Sequence, residues 1–269
     1  MEKENKIDRN IAVSAETVVS VIMPAYNVER YIREALESVY KQTYEKWECI
    51  VVNDASEDHT GEIIQEYCLK DSRFQCIELE KNRGAAIARN KAITEAKGKY
   101  LAFLDGDDIW AADKLEKQIQ FMEDNQYDFT CTCYGKIDEN GRMLNRVVKV
   151  KPQYDYSEIL KNCPGNSTVI YNCHKLGKMY AEDIKRRNDF VMWLKVIKKA
   201  VTAYGLSDLL TYHRERTDSI SFKKIALIRY QWVVYRNIEQ LSVIRCIYLV
   251  GYKMANGLAI KLGAVLKNI

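Results

Sequence analysis

YLAFLDGDD, residues 100 to 108, is an apolar run that ends in three carboxylates packed into four positions. Such a run reads as a buried strand, and like charges crowded at its end repel one another unless something positive joins them. Three β-rich runs precede it: VSVIMP from Val19, WECIVVN from Trp47 and FQCIEL from Phe74. With the run from Lys99 they start 28, 27 and 25 residues apart. Between them lie helical patterns at 28–42, where Ile32, Leu36 and Val39 recur at helical spacing, at 58–69 and at 84–97. Three successive strand-helix-strand units predict an α/β fold, a mostly parallel sheet covered by helices. In such sheets ligands collect at the carboxyl edge. Pro24-Ala25-Tyr26-Asn27, Asn53-Asp54-Ala55-Ser56 and Asp105-Gly106-Asp107-Asp108 all fall there.

After Trp110 the alternation fades. The pattern predicts a helix at 110–125, strands at 127–134 and 142–151, a turn-rich stretch at 163–166, a strand at 168–172 and a helix at 190–199. This half is expected to build the other wall of a cleft.

Carboxylates two apart at a strand end, with Gly106 between them, can present oxygens to one hard divalent cation. A metal clamped to a diphosphate is then the simplest source of the missing positive charge. The alternative is that Asp105 and Asp107 cap a helix starting near Trp110, and Asp108 reads as such a cap. Asp54 is placed to accept hydrogen bonds from a base or ribose, or to open an Asx turn that Ser56 and Asp58 could begin equally well. A calcium loop at 54–65 is excluded, because His59 stands where glycine is required and Gln65 where glutamate is. Asn82-Arg83-Gly84-Ala85-Ala86 opens a helix, and free amides beside an arginine suit an anion. Arg89, on the same helix, reads as solvated or ion-paired. The glycine fingerprints of dinucleotide dehydrogenases and P-loop NTPases are absent.

The 269 residues, 47% hydrophobic, suit one large domain or one with an appendage. Eight cysteines without a CxxC pair, and no secretory signal at the start, point to reduced thiols packed as small hydrophobes in a cytoplasmic protein. The net charge of +4 is uneven: residues 222–269 hold eight basic residues against Glu239 alone, +7, which leaves −3 on the rest. No uncharged apolar run approaches the roughly 20 residues of a spanning helix. Basic charge without a supporting motif does not make a nucleic-acid binder.

Together VSVIMPAYNVERYI, IVVNDASEDHT, NRGAAIARNKAI and YLAFLDGDDIW occur in the order and spacing of inverting family 2 glycosyltransferases. The resemblance covers about residues 18–215 and is nearest to the enzymes of bacterial capsule, teichuronic acid and lipopolysaccharide assembly. It implies a GT-A fold, a Rossmann-like sheet over 18–221, divided into a nucleotide-sugar half at 18–110 and an acceptor half at 111–221. A polar lead-in at 1–17 precedes it. By position, Pro24 and Tyr26 would flank the uracil, with Asp54 and Arg83 binding and supporting it. Asp105 and Gly106 would lie against the ribose and sugar, and Asp107 would hold manganese or magnesium on the diphosphate. Ala55 departs from the family, which has glycine there.

The resemblance further implies transfer of a hexose or N-acetylhexosamine from a UDP-sugar to a saccharide acceptor, with inversion. Such a displacement needs a base for the acceptor hydroxyl. AEDIKRRNDFVMWLKVIKK offers Asp183 and Asp189; Asp189, ahead of Trp193, matches the family's base and is favoured, its other role being to cap the helix. YHRERTDSIS, 212–221, resembles a loop that folds over the diphosphate, with His213-Arg214 in place and Arg216 close by; His213 is read as packing. From 243 to 267, Ile247, Val250, Met254, Leu258, Leu262 and Val265 form an apolar stripe. The basic helical tail, 222–269, then either lies on the inner face of the plasma membrane, near a lipid-linked acceptor, or packs on the protein. The competing functional reading is a non-catalytic nucleotide-sugar-binding partner of another transferase.

Overall fold

A computed structural model describes residues 18–216 and 224–266, with side chains of the last helices over 228–256. Strands β1 (Val19–Ala25), β2 (Trp47–Asn53), β3 (Phe74–Glu78) and β4 (Tyr100–Phe103) alternate with helices α1 (Ile32–Tyr40), α2 (Thr60–Lys70) and α3 (Ala85–Glu95). β1 and β2 are buried at every position. This is why both read as continuous apolar runs and not as alternating ones.

The second half adds β5 (Ile109–Trp110), α4 (Lys114–Asn125), β6 (Phe129–Ile137), β7 (Met143–Val148), β8 (Gln153–Tyr154) and α5 (Tyr156–Lys161). A 3-10 turn at Asn166–Thr168 leads to β9 (Ile170–Asn172), α6 (Cys173–Leu176), α7 (Asn188–Ala200) and β10 (Ala203–Arg214). All ten described strands join one sheet, in the order β3-β2-β1-β4-β9-β6-β10-β5, with β7 on β6 and β8 on β10. The long ladders, β1 with β2 and β4, β2 with β3, and β6 with β10, are parallel. The short ones around β9 and the edges are antiparallel. The expected mostly parallel sheet is found.

Two differences from the sequence reading matter. The expected helix at 110–125 begins only at Lys114, because Trp110 is held in β5, its indole donating to the Ser167 carbonyl at 2.7 Å. Asp108 therefore caps nothing. β10 was not foreseen: its pairing with β6 is broken by register shifts at Leu209, so its apolar positions do not alternate cleanly.

The sheet separates two cores, one under α1, α2 and α4 and the other under α3, α5 and α7. The tail forms α8 (Lys224–Val233), a π turn at Val234–Ile238 and α9 (Val243–Leu266). Val234, Tyr235, Cys246 and Leu249 join the core around Phe190 and Trp193. The tail is thus packed on the second half, not separate from it. The opposite face of α9 is bare and apolar, with Ile244 82% exposed beside exposed Val243, Ile247, Tyr248 and Met254. Among the described residues no helix is long and apolar enough to cross a membrane.

Candidate active site

At the carboxyl edge of the sheet Asp105, just past β4, enters a cleft of about 930 Å³. Its walls come from the start of α3 (Asn82 to Ala86), from Cys163 to Asn166, and from Asp183 to Phe190. Asp105, Asp183, Asp189 and His213 all line it.

Asp54 is almost wholly buried, and its two oxygens accept from the Arg83 and Gly84 backbone N–H groups, each at 2.7 Å. It ties the end of β2 to the loop before α3. The Asx turns that competed for it belong to its neighbours, Asn53 accepting from Ser56 N–H and Asp58 from Thr60 N–H. Ala55 holds φ +56, the left-handed conformation in which glycine is at ease. Tyr26 is 42% exposed at the end of β1, while Pro24 is buried in it. A Cβ on Gly106 would stand 3.2 Å from Ile32 Cδ1 and 3.4 Å from the Pro24 carbonyl, so glycine lets the acidic loop pack on β1.

Asp105 accepts from Arg89 Nη2 at 3.1 Å and from Asn166 Nδ2 at 2.8 Å, while a third of its side chain stays open to the cleft. Enclosure by protein raises its pKa, and the Arg89 guanidinium opposes that rise. Arg89 is 4% exposed, and its Nη1 reaches Asn188 Oδ1 at 2.8 Å. One guanidinium thus joins the first-half acid to the residue beside Asp189. Asp107 accepts from Arg216 Nη1 at 3.2 Å. Asp108 is buried, accepting from Ser167 Oγ at 2.5 Å and from Arg214 N–H at 3.0 Å. Burial pushes its pKa up to about 6. The positive charge that LDGDD demands is met by arginines 16 and 109 residues away, Arg89 and Arg216.

Arg214 needs a correction. Its side chain is fully buried, donating to the carbonyls of Asp107, Asp138 and Glu139 and to Glu34 Oε2 at 2.5 Å. With its donors committed to protein it is a strut under the acidic loop, and Arg216 is the arginine that meets Asp107. Residues 217–221 of the loop read from YHRERTDSIS lie outside the described residues.

Asp189 is the second residue of α7, and Arg187, in the left-handed conformation at φ +67, holds the cap position. Asp189 is therefore not the cap. It stands on a helix whose next residues, Phe190 to Leu194, are buried, whereas Asp183 sits exposed on a loop. Arg89, Asn166, Asn188 and His213 are among the cleft residues that motif reading did not select. Their signal is spatial, apart from the burial of Arg89 on the inner face of α3.

Among the described residues no three His, Cys, Asp or Glu side chains gather to hold a metal unaided. Asp107, partly open, fits a cation that takes one or two carboxylates and draws its other ligands from a diphosphate and water.

A sheet of this order, with acids at its carboxyl edge and a second half closing the cleft, defines the GT-A glycosyltransferase fold. The family model described as Glycosyl transferase family 2 matches residues 20–184, and the chain belongs to that family. It is 40% identical over 229 residues to the putative teichuronic acid biosynthesis glycosyltransferase TuaG of Bacillus subtilis strain 168, covering 85% of this chain and 91% of that protein. It is 34% identical over 236 residues to the Escherichia coli UDP-Glc:alpha-D-GlcNAc-diphosphoundecaprenol beta-1,3-glucosyltransferase WfgD, covering 87% and 92%. The S. aureus TarS 1–349 structure in complex with UDP-GlcNAc superposes with a TM-score of 0.67 at 26% identity, over 88% of this chain and 71% of that one.

Proposed function

We propose that the protein transfers a hexose or N-acetylhexosamine from a UDP-sugar, with inversion, to a saccharide carried on a lipid diphosphate in bacterial surface polysaccharide synthesis. The carrying observation is that Asp105 and Asp189 face one cleft and are linked through Arg89 and Asn188. The UDP-GlcNAc complex of TarS and the acceptor named for WfgD support the donor and acceptor classes.

In this reading Tyr26 stacks on the uracil over Pro24, and Asp54, with Arg83, holds its edge. Asp105 orients the sugar, fixed by Arg89 and Asn166. Asp107 would hold manganese or magnesium, which would supply charge stabilisation on the departing UDP. Asp189 takes the proton of the acceptor hydroxyl as its oxygen bonds to the anomeric carbon and the bond to the UDP oxygen breaks. Arg216, beside Asp107, is placed to follow the diphosphate, for which its planar fork is suited.

The bare face of α9 meets an anionic bilayer at the inner face of the plasma membrane. From Val243 to Leu266 there is no acidic residue, and Lys161 sits 6.0 Å from the ring of exposed Tyr248, the pairing of a membrane-interface belt. Sedimentation with phosphatidylglycerol vesicles should carry the wild type down and leave Ile244→Glu in solution; equal recovery of both would remove the contact.

The test of the activity is UDP release from a panel of UDP-sugars, with manganese and then with chelator, for wild type and Asp107→Ala. One donor should turn over only with metal and only in the wild type. Failure of every UDP-sugar to bind would sink the donor assignment.

A further inference from the structure

Lys185, Arg186 and Arg187 are three consecutive cations on the second-half wall of the cleft, immediately before Asn188 and Asp189. Among the described residues none of the three side chains makes an ion pair within 4.0 Å of an acid. Arg186 Nη1 and Arg187 Nε are buried donors without an acceptor. Buried guanidinium N–H groups left unmade are costly, and native structures rarely keep them without a use. Arg187 also holds its left-handed backbone at φ +67, a strain found where a site is preorganised. A fourth cation lies behind this wall. Lys253 of α9 lies over the Phe190 ring at 4.7 Å, and burial, then the charge of Arg187, lowers its pKa to about 8. Buried guanidinium donors left without an acceptor beside an open cleft describe half of a binding site.

We infer that Arg186 and Arg187, with Lys253 behind them, bind the diphosphate of the acceptor. The inference rests on the lipid-diphosphate reading of the acceptor and gives it a location. The donor diphosphate is assigned above to a different place, Asp107 and Arg216, neither of which is on this wall. With Cα atoms about 3.8 Å apart along the chain, Arg186 lies within about 11 Å of Asp189, so a diphosphate there sets its attached sugar in front of the base. The lipid then leaves past α9, whose packed face reaches this wall through Lys253 and whose opposite face is bare.

The test uses the full chain and geranyl diphosphate, a prenyl diphosphate with neither sugar nor nucleotide, titrated calorimetrically in the presence and absence of saturating UDP and manganese. Geranyl diphosphate is expected to bind the UDP-loaded protein and geraniol is not. Arg186→Gln and Arg187→Gln should each weaken binding about tenfold, as loss of a charge-assisted hydrogen bond does, while UDP affinity stays within about twofold and certifies the fold. Arg186→Lys should recover part of the loss. Displacement of UDP by geranyl diphosphate, or glutamine variants that bind it as tightly as wild type, would overturn the inference. If UDP itself does not bind, the donor assignment fails, and the titration without UDP still decides the role of the arginines, with unchanged melting temperatures of the variants as the fold control.

Discussion

The two walls of the cleft are built differently. On the first-half side the acids are partnered before any ligand arrives: Asp54 by two amides, Asp105 by Arg89 and Asn166, and Asp108 by Ser167 and Arg214. On the second-half wall the charges from Lys185 to Arg187 are left without acid partners among the described residues. The first wall is a frame, whose acids are held in place by contacts that span the fold. The second is, on the inference above, a surface that a ligand completes. A transferase gains from this division, since the donor geometry must be fixed while acceptors arrive and depart.

The contrast can be broken by removing chemistry from one wall and support from the other. Asp189→Asn should lower transfer by about a thousandfold, the scale of a positioned base, with UDP affinity and melting temperature unchanged; steady-state kinetics and calorimetry read both. A large loss of UDP affinity would make Asp189 part of the frame. Arg89→Leu strikes the frame itself. It strands the Asp105 charge and the Asn188 acceptor, and should cost about 3 kcal/mol in urea unfolding, the lower end for a broken buried pair because Asp105 is partly open. Arg186→Gln should leave unfolding within about 0.5 kcal/mol of wild type.

Asp108 gives a pH signature. Its folded pKa of about 6 lies above the usual carboxylate value, so the buried ionised form opposes folding. That opposition is absent below about pH 4, grows as pH rises through 6 and is constant above it. Asp108→Asn, which keeps an acceptor for Arg214 N–H, should therefore gain stability relative to wild type across that window, on the order of 1–3 kcal/mol by pH 7. A parallel pH dependence in the two proteins would disprove it. A smaller gain belongs to Ala55→Gly, which should raise stability by about 0.5–1 kcal/mol by relieving φ +56.

The same division explains what the sequence discloses. β1, β2 and β4 are buried on both faces, so their residues form unbroken apolar runs at regular spacing, and the acids that end them stand out. β7 is exposed throughout, β9 is three residues long and β10 carries register shifts, so none of these has a clear period. Asp105, Asp107 and Asp189 are legible because each follows or opens an element. Arg89 and Asn188 are joined across 99 residues, a contact that local pattern does not contain. Arg214 was misplaced for the same reason: the pairing of β10 with β6 and Asp108, not its neighbours in sequence, decides that it turns inward.

If the bare face of α9 rests on a bilayer as proposed, it alters how encounters are counted. An enzyme resting on a bilayer by Ile244 and Ile247 meets a lipid-borne acceptor by diffusion in two dimensions, so its rate follows the mole fraction of acceptor in the surface and falls when inert lipid is added at constant bulk concentration. An assay with acceptor dispersed in excess detergent would then understate the protein's capacity by diluting the surface it works on.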